Sequence, residues 1–450
     1  MLNVAGKDVA VVGLGTSGAA AARLLLASGA KVIATDRATS DRLSPEARAL
    51  EGLGARLVLG GHDGVPFTAL DLIVISPGVP DFPELRAAEQ SGVPVIGELE
   101  LAYRALGAPV LAVGGTNGKS TATTLLGDIV GSKYSRTFVG GNLGRPAAEA
   151  SGLELDAAIF EVSSFQMERV DTFRPKVAIL LNITEDHLDR YPDFEAYAAA
   201  KGNCFRRQEP SDVAVVPAGD EQVLRQAQRG RGRIVTYGRD GADYAVLGAS
   251  VLERSSGLRF DLSAADLHGL HNYENAAAAI AAARAFGLEP EAISQGLARF
   301  RALPHRMALS GRFEGVTFYD DSKATNVGAA VTALRGLTEP RGVLIAGGRD
   351  KLGSYDDLVQ ALVAKGRAAV LVGEAADRLE AAIGTAVPVR RAPTIEAAVL
   401  TAFRLAQPGD AVLLSPACSS LDMFKNYSER GDRFTEAVRR LPTAVAGHVP

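Results

Sequence analysis

The chain has 450 residues, room for about three domains of the usual ~150 residues. Its 47% hydrophobic and 22% charged residues are those of a globular enzyme and exclude a disordered or collagen-like chain. With 48 Lys and Arg against 52 Asp and Glu the formal net charge is −4, which argues against a general nucleic-acid coat; no nucleic-acid partner is expected.

Cys204 and Cys418 are the two cysteines, too few for a disulfide framework and wrongly spaced for structural zinc. The longest pure apolar run, Ala276–Ala283, falls well short of the ~20 residues that cross a bilayer. The start of the chain shows no basic region followed by an apolar core and cleavage site. The expectation is a cytoplasmic enzyme with no membrane partner.

Short apolar runs alternate with helical patterns throughout, the pattern of parallel α/β folds. Strands are predicted at Val9–Val12, Lys31–Thr35, Arg56–Leu59 and Leu72–Ser76, separated by helical stretches such as Ala19–Ala27. A second run begins at Val110–Val113 and continues at Ala157–Glu161 and Lys176–Asn182. A third follows Leu303-Pro304-His305-Arg306, with strands near Val316–Tyr319, Gly342–Ala346, Ala369–Val372 and Asp410–Leu414. The units predicted are 1–107, 108–304 and 305–450.

Gly13-Leu-Gly-Thr-Ser-Gly18 follows a strand and opens a helix, with Asp36 at the end of the next strand. That spacing lets backbone N–H groups approach a diphosphate at a helix N-terminus, without saying which nucleoside carries it. The Ser76-Pro-Gly-Val-Pro80 turn sits at the carboxyl edge of the same predicted sheet, where ligands of open parallel sheets bind.

Gly114-Gly-Thr-Asn-Gly-Lys-Ser-Thr121 also joins a strand to a helix. Its glycines let amides converge on phosphates, Lys119 can bridge β and γ oxygens, and Ser120 or Thr121 can reach Mg²⁺. The usual leading glycine is replaced by Val113, so the loop is a variant. Glu161 ends a strand in a position suited to a hard divalent cation. His187, with Glu185, Asp186 and Asp189 around it, suits a metal or phosphate contact. Asp193 is placed to cap a helix on which Lys201 shares a face with Phe194 and Tyr197. That geometry alone favours a lysine snorkelling past a core edge. Asn272 and Asn275 lie one turn apart at another helix start, as caps or as purine and phosphate contacts.

These residues together resemble the Mur ligase family, ATP-dependent amide-forming enzymes of peptidoglycan precursor synthesis. The marks are Gly115–Thr121, Gly140–Gly144, Glu161–Gln166, Asn182–Tyr191, Lys201, His271–Asn275, Pro304–Arg306, Asp321–Asn326, Gly347–Lys351 and Ser415–Asp422. The last stretch and its continuation Met423–Gly431 look most like the D-glutamate-adding branch.

The resemblance implies a three-domain α/β fold: a Rossmann-like N-terminal domain, a P-loop ATPase-like central domain and a Rossmann-like C-terminal domain. It also implies that the first domain holds the uridine diphosphate of UDP-N-acetylmuramoyl-L-alanine rather than a dinucleotide. Gly15, Thr16, Asp36, Arg37, Ser76, Gly78, Asn142, Ser163 and Gln166 are the implied substrate positions. Gly115, Thr116, Asn117, Gly118, Lys119, Ser120, Thr121, Asn272, Asn275, Arg306, Asp321 and Lys323 are implied for ATP. Two Mg²⁺ sites are implied, one at Ser120 and Glu161, the other at His187 and a carbamate on Lys201. Lys119, His187, Lys201 and Asn142 form the implied catalytic set, and Thr325, Lys351, Ser420 and Tyr427 the D-glutamate site. A monomer is expected, its third domain closing over bound nucleotide.

Overall fold

Each run of apolar strands closes into its own sheet. The computed structural model describes residues 2–186, 190–239, 241–350 and 353–446. In the first sheet β1 (Asp8–Val12), β2 (Lys31–Asp36), β3 (Arg56–Leu59), β4 (Leu72–Ile75) and β5 (Val95–Gly97) lie in the order β3-β2-β1-β4-β5. All its pairings are parallel. Strand order reverses beside β1, and the Gly13–Gly18 loop leaves that strand at its carboxyl end, the place where such sheets bind ligands.

The central sheet is built from β6 (Val110–Gly114), β7 (Thr137–Gly141), β8 (Ala157–Glu161), β9 (Val177–Leu180), β10 (Val213–Pro217), β11 (Arg233–Gly238), β12 (Tyr244–Val246), β13 (Ser250–Glu253) and β14 (Arg259–Asp261). Its order is β14-β13-β12-β11-β10-β9-β6-β8-β7. β6 and β9 are buried on both faces. Leu111, Val113, Val177 and Ile179 join one core, while Val110, Ala112, Ala178 and Leu180 join another. Such continuous apolar strands are the signature of a parallel sheet covered on both sides. Ala276–Ala283 is not a surface stripe: every residue of it is fully buried in the first of these cores.

The third sheet has β15 (Ala308–Phe313), β16 (Val316–Asp320), β17 (Gly342–Gly347), β18 (Gly366–Val372), β19 (Val389–Arg391) and β20 (Ala411–Leu414), in the order β15-β16-β20-β17-β18-β19.

Two features depart from an all-parallel reading. β12, β13 and β14 pair antiparallel at one edge of the central sheet, and β15 pairs antiparallel with β16. Three- and four-residue strands with polar alternate positions, joined by turns at Gly248 and Gly257, suit hairpins at a solvated edge. The run expected at Lys176–Asn182 is also shorter, because the chain leaves the ladder after Leu180 and Asn182 O accepts Thr116 N at 3.0 Å instead.

Candidate active site

β6 delivers the chain into a turn that ends at the helix Lys119–Gly131. Gly115 (φ 147°) and Gly118 (φ 82°) take conformations that only glycine adopts freely. At Gly118 a Cβ would also stand 2.5 Å from Asn275 Oδ1. Among the described residues no side chain caps this helix, and Lys119, Ser120 and Thr121 line the cleft, so its first N–H groups are available to an anion. Thr116 and Asn117 differ. Both donate their N–H to Asn182 Oδ1, at 3.1 and 2.9 Å, and Asn182 Nδ2 donates to Asn117 O at 3.1 Å. They line the cleft with their amides already engaged.

Lys119 Nζ donates to Gly115 O at 3.0 Å and to Thr116 O at 2.8 Å, and burial holds its pKa below that of an ordinary lysine. Glu161, at the end of β8, accepts from Ser120 Oγ at 2.6 Å and from Asn142 Nδ2 at 2.7 Å. Arg306 Nη2 donates to Ser120 Oγ at 2.8 Å, which carries this chain of bonds to the entrance of the third sheet. A hydroxyl and a carboxylate side by side are the hard oxygen donors Mg²⁺ takes alongside water and phosphate. Among the described residues no three His, Cys, Asp or Glu could hold a metal by themselves, so such a cation depends on ligand oxygens.

Lys201 lies near the end of the helix Phe194–Gly202, whose N-terminus Asp193 caps by accepting Ala196 N at 2.8 Å. It is 5% exposed; its Nζ donates to Gly115 O at 2.8 Å and stands 4.6 Å from the centre of the Tyr197 ring. Tyr197 Oη in turn meets Thr116 Oγ1 at 3.1 Å. Burial, with the charge of Lys119 beside it, pushes the Lys201 pKa far down. A pocket that favours the neutral amine fits a lysine that reacts with CO₂, because only the neutral form is nucleophilic.

Asn275 Nδ2 donates to Asn272 Oδ1 at 3.1 Å, and Asn272 Nδ2 to His268 O at 2.7 Å, so neither side chain caps its helix. Burial raises the Asp321 carboxyl to about 7; it accepts from Ser415 Oγ at 2.9 Å and from Met307 N at 3.2 Å. Lys323 Nζ stands 4.1 Å from the Tyr427 ring centre. One cleft of about 970 Å³ is lined by residues 116–121, Asn142, Glu161, Asn272, Asn275, Arg306, Asp321, Lys323, Thr325 and Tyr427.

A second cleft, of about 480 Å³, is lined by Gly15, Thr16, Asp36, Ser76, Gly78, Asn142 and Gln166. Gly18 permits its close turn, since a Cβ there would fall 1.7 Å from Gly13 O. Asp36 braces the turn by accepting Leu14 N at 2.6 Å and Ala38 N at 2.7 Å. Asn142 belongs to the walls of both clefts.

Other expected positions fall elsewhere. Arg37 is exposed and outside both walls, and Ser163 forms a capping box with Gln166. Ser420 is buried but not part of the cleft wall. His187 and Lys351 lie outside the described residues.

Two polar residues are read in the sequence only as members of longer stretches. Asn182 reads there only as part of a motif, yet it clamps the phosphate loop. Arg430 is 1% exposed and binds Ser322 Oγ at 2.9 Å, Ser322 O at 2.8 Å and Cys418 O at 3.2 Å. A polar residue just past an apolar strand, and an arginine on an otherwise ordinary helix, were the available signals.

Known proteins extend this picture. The profile of the Mur ligase MurD-like N-terminal domain matches residues 7–97, that of the Mur ligase middle domain 113–283, and that of the Mur ligase glutamate ligase domain 305–418. A UDP-N-acetylmuramoylalanine--D-glutamate ligase of Trichlorobacter lovleyi is 44% identical, over 97% of this chain and 99% of its own. One of Desulfosudis oleivorans is 45% identical, over 97% of this chain and 96% of its own. Among solved structures, a pseudomurein peptide ligase type C from Methanothermus fervidus superposes with a TM-score of 0.62 at 20% identity, covering 96% of this chain and all of that one. The MurF ligase from Thermotoga maritima in complex with ADP gives 0.62 at 17% identity, covering 98% of this chain and 96% of that one. At those identities the two structures bear on the fold alone. Sequence identity, domain profiles in order and three-sheet architecture agree: the chain belongs to the MurD-type branch of the Mur ligase family, ATP-dependent ligases of peptidoglycan precursors.

Proposed function

We propose that this protein joins D-glutamate to UDP-N-acetylmuramoyl-L-alanine at the expense of ATP, as a cytoplasmic monomer. Residues 1–107 take the UDP-substrate, 108–304 take ATP and 305–450 take the amino acid. The observation that carries the reading is the Arg306–Ser120–Glu161–Asn142 chain, which runs through the larger cleft and ends at the wall of the smaller one.

An amide cannot form directly from a carboxylate, which is a poor electrophile. The substrate carboxylate oxygen therefore attacks the γ-phosphorus of ATP, the bond to ADP breaks, and an acyl phosphate results. The amine of D-glutamate then attacks the acyl carbon and phosphate leaves. Lys119 exchanges its two loop carbonyls for the β and γ oxygens, and the free amides at the helix start meet the same charge. Ser120 and Glu161 would hold a first Mg²⁺; Lys201, as its carbamate, would hold a second with His187. Cations held there would supply positive charge to the phosphate oxygens. Asn272, Asn275, Arg306, Asp321 and Lys323 hold the nucleotide across the junction. Asn142 stands where the two clefts meet and orients the substrate carboxylate. Thr325 and Tyr427, in the wall of the larger cleft, would meet the amino acid, with Lys351 and Ser420 kept as the further positions the family resemblance offers; enclosure there would keep water from the acyl phosphate.

The test is phosphate release with ATP, Mg²⁺, UDP-N-acetylmuramoyl-L-alanine and a panel of amino acids. Release is expected with D-glutamate; equal rates with L-glutamate, L-lysine or L-alanine would overturn the D-glutamate assignment and leave the ligase class standing.

A further inference from the structure

The phosphate loop is held from outside by one asparagine, whose main-chain O accepts Thr116 N at 3.0 Å beside the bonds of its carboxamide. Asn182 Oδ1 takes the N–H groups of Thr116 and Asn117 while its Nδ2 donates to Asn117 O, the two-sided pattern a neighbouring strand would supply. A trans peptide is planar, with its N–H and C=O pointing in opposite directions. Fixing Thr116 N on one side therefore aims Gly115 O to the other side, where Lys119 Nζ (3.0 Å) and Lys201 Nζ (2.8 Å) both meet it. Fixing Asn117 N likewise aims Thr116 O at Lys119 Nζ, 2.8 Å away.

We propose that Asn182 is the positioning residue of this loop: by engaging two successive amides it turns two carbonyls toward Lys119 and Lys201 and sets where both lysines rest. It touches neither reacting group and acts through the loop. The loop's anion site is thereby divided. Thr116 and Asn117 shape it, whereas the uncapped N–H groups of Lys119, Ser120 and Thr121 receive the phosphates. Thr184 reinforces the clamp: its N–H donates to Thr116 Oγ1 at 3.1 Å, and Thr116 Oγ1 donates to Thr184 O at 3.2 Å. The residues that clamp the loop and those that lead to His187 thus belong to one short segment after β9.

The inference rests on the reading of the larger cleft as an ATP site, and its test separates the two. Amide hydrogen exchange is measured on the whole wild-type protein with and without ADP. Thr116 and Asn117 are expected to be protected before ADP and unchanged by it, with Lys119, Ser120 and Thr121 gaining protection on binding. Asn182→Ala is expected to lose protection at Asn117, while Thr116 N keeps its bond to the main-chain O of residue 182, and to lower kcat/KM for ATP about tenfold or more, the scale of the lost side-chain hydrogen bonds. KM for the UDP-substrate should stay at its wild-type value. Asn182→Ser, too short to reach both amides, should fall in the same direction if the alanine variant does not fold. ADP that fails to bind wild-type protein overturns the ATP reading. Normal ADP binding with exposed Thr116 and Asn117 amides, or variants that weaken ATP and UDP-substrate equally, overturns the role of Asn182.

Discussion

Lys201 Nζ and Gly115 O lie 2.8 Å apart, so a lysine from one helix is bonded to the first residue of a loop 86 positions earlier. The contact lies in a buried pocket floored by the Tyr197 ring. Lys201→Ala is expected to be nearly inactive yet folded, and added acetate should restore part of the rate by filling the vacated anionic place. ¹³C NMR with labelled bicarbonate should show a carbamate signal in the wild type that the variant lacks. Full activity of the alanine variant would reduce Lys201 to a buried prop of Gly115 O.

Lys119 is the lysine proposed to meet the developing charge. Lys119→Ala removes it from a loop whose shape is fixed by Gly115, Gly118 and Asn182, so folding should survive. A loss in kcat of roughly 10²–10³ is expected, the scale of one preorganised donor at a transition state. Steady-state kinetics decide this, and an unchanged turnover would make the loop a mere turn.

Glu98 gives a pH dependence of stability. It is 1% exposed, its Oε1 accepts Ala148 N at 2.6 Å, and its Oε2 has no hydrogen-bond partner among the described residues. Burial, helped by the charge of Glu149, raises the carboxyl from 4.5 to about 7. The folded state then binds more protons than the unfolded state between those values, so stability falls as pH rises through that window. A shift of this size corresponds to about 3 kcal/mol above pH 7. Glu98→Gln keeps the Ala148 contact and removes the titration. Calorimetry should place its thermal midpoint several degrees above wild type at pH 8 and level with it below pH 4.5.

Arg430 ties Ser322, beside Lys323 and Thr325, to Cys418, beside Ser420. Both segments carry residues proposed for the amino acid. Arg430→Met should raise KM for D-glutamate at least tenfold while KM for the UDP-substrate stays put. Arg430→Lys, a point charge with fewer donors, should fall between. A variant that raises all three KM values alike would make the arginine a general prop of the third unit.

Much of the ligand-facing chemistry was legible because it is written contiguously. Thr116–Thr121, Glu161 at its strand end and Asn272 with Asn275 carry both residue type and spacing, and the structure brings them to one cleft. The holding chemistry was not legible, because its bonds join distant parts of the chain: Asn182 reaches back 65 residues and Arg430 reaches back 108. Strands β1 and β6 stood out as apolar runs buried on both faces. β12 to β14 did not, being three or four residues long and half polar. The sequence also offered Asp36 as a ligand contact without revealing that its two oxygens already brace Leu14 N and Ala38 N.

Asn142 stands in the walls of both clefts and is bonded to Glu161, so neither cleft is filled without altering the surroundings of the same carboxamide. That sharing makes the two ligands partners in a thermodynamic cycle. Whatever factor UDP-N-acetylmuramoyl-L-alanine imposes on ATP affinity, ATP imposes the same factor on the affinity for the sugar nucleotide. With the two clefts filled as proposed, replacing this one side chain by alanine is expected to change that common factor, identically whichever ligand is titrated second.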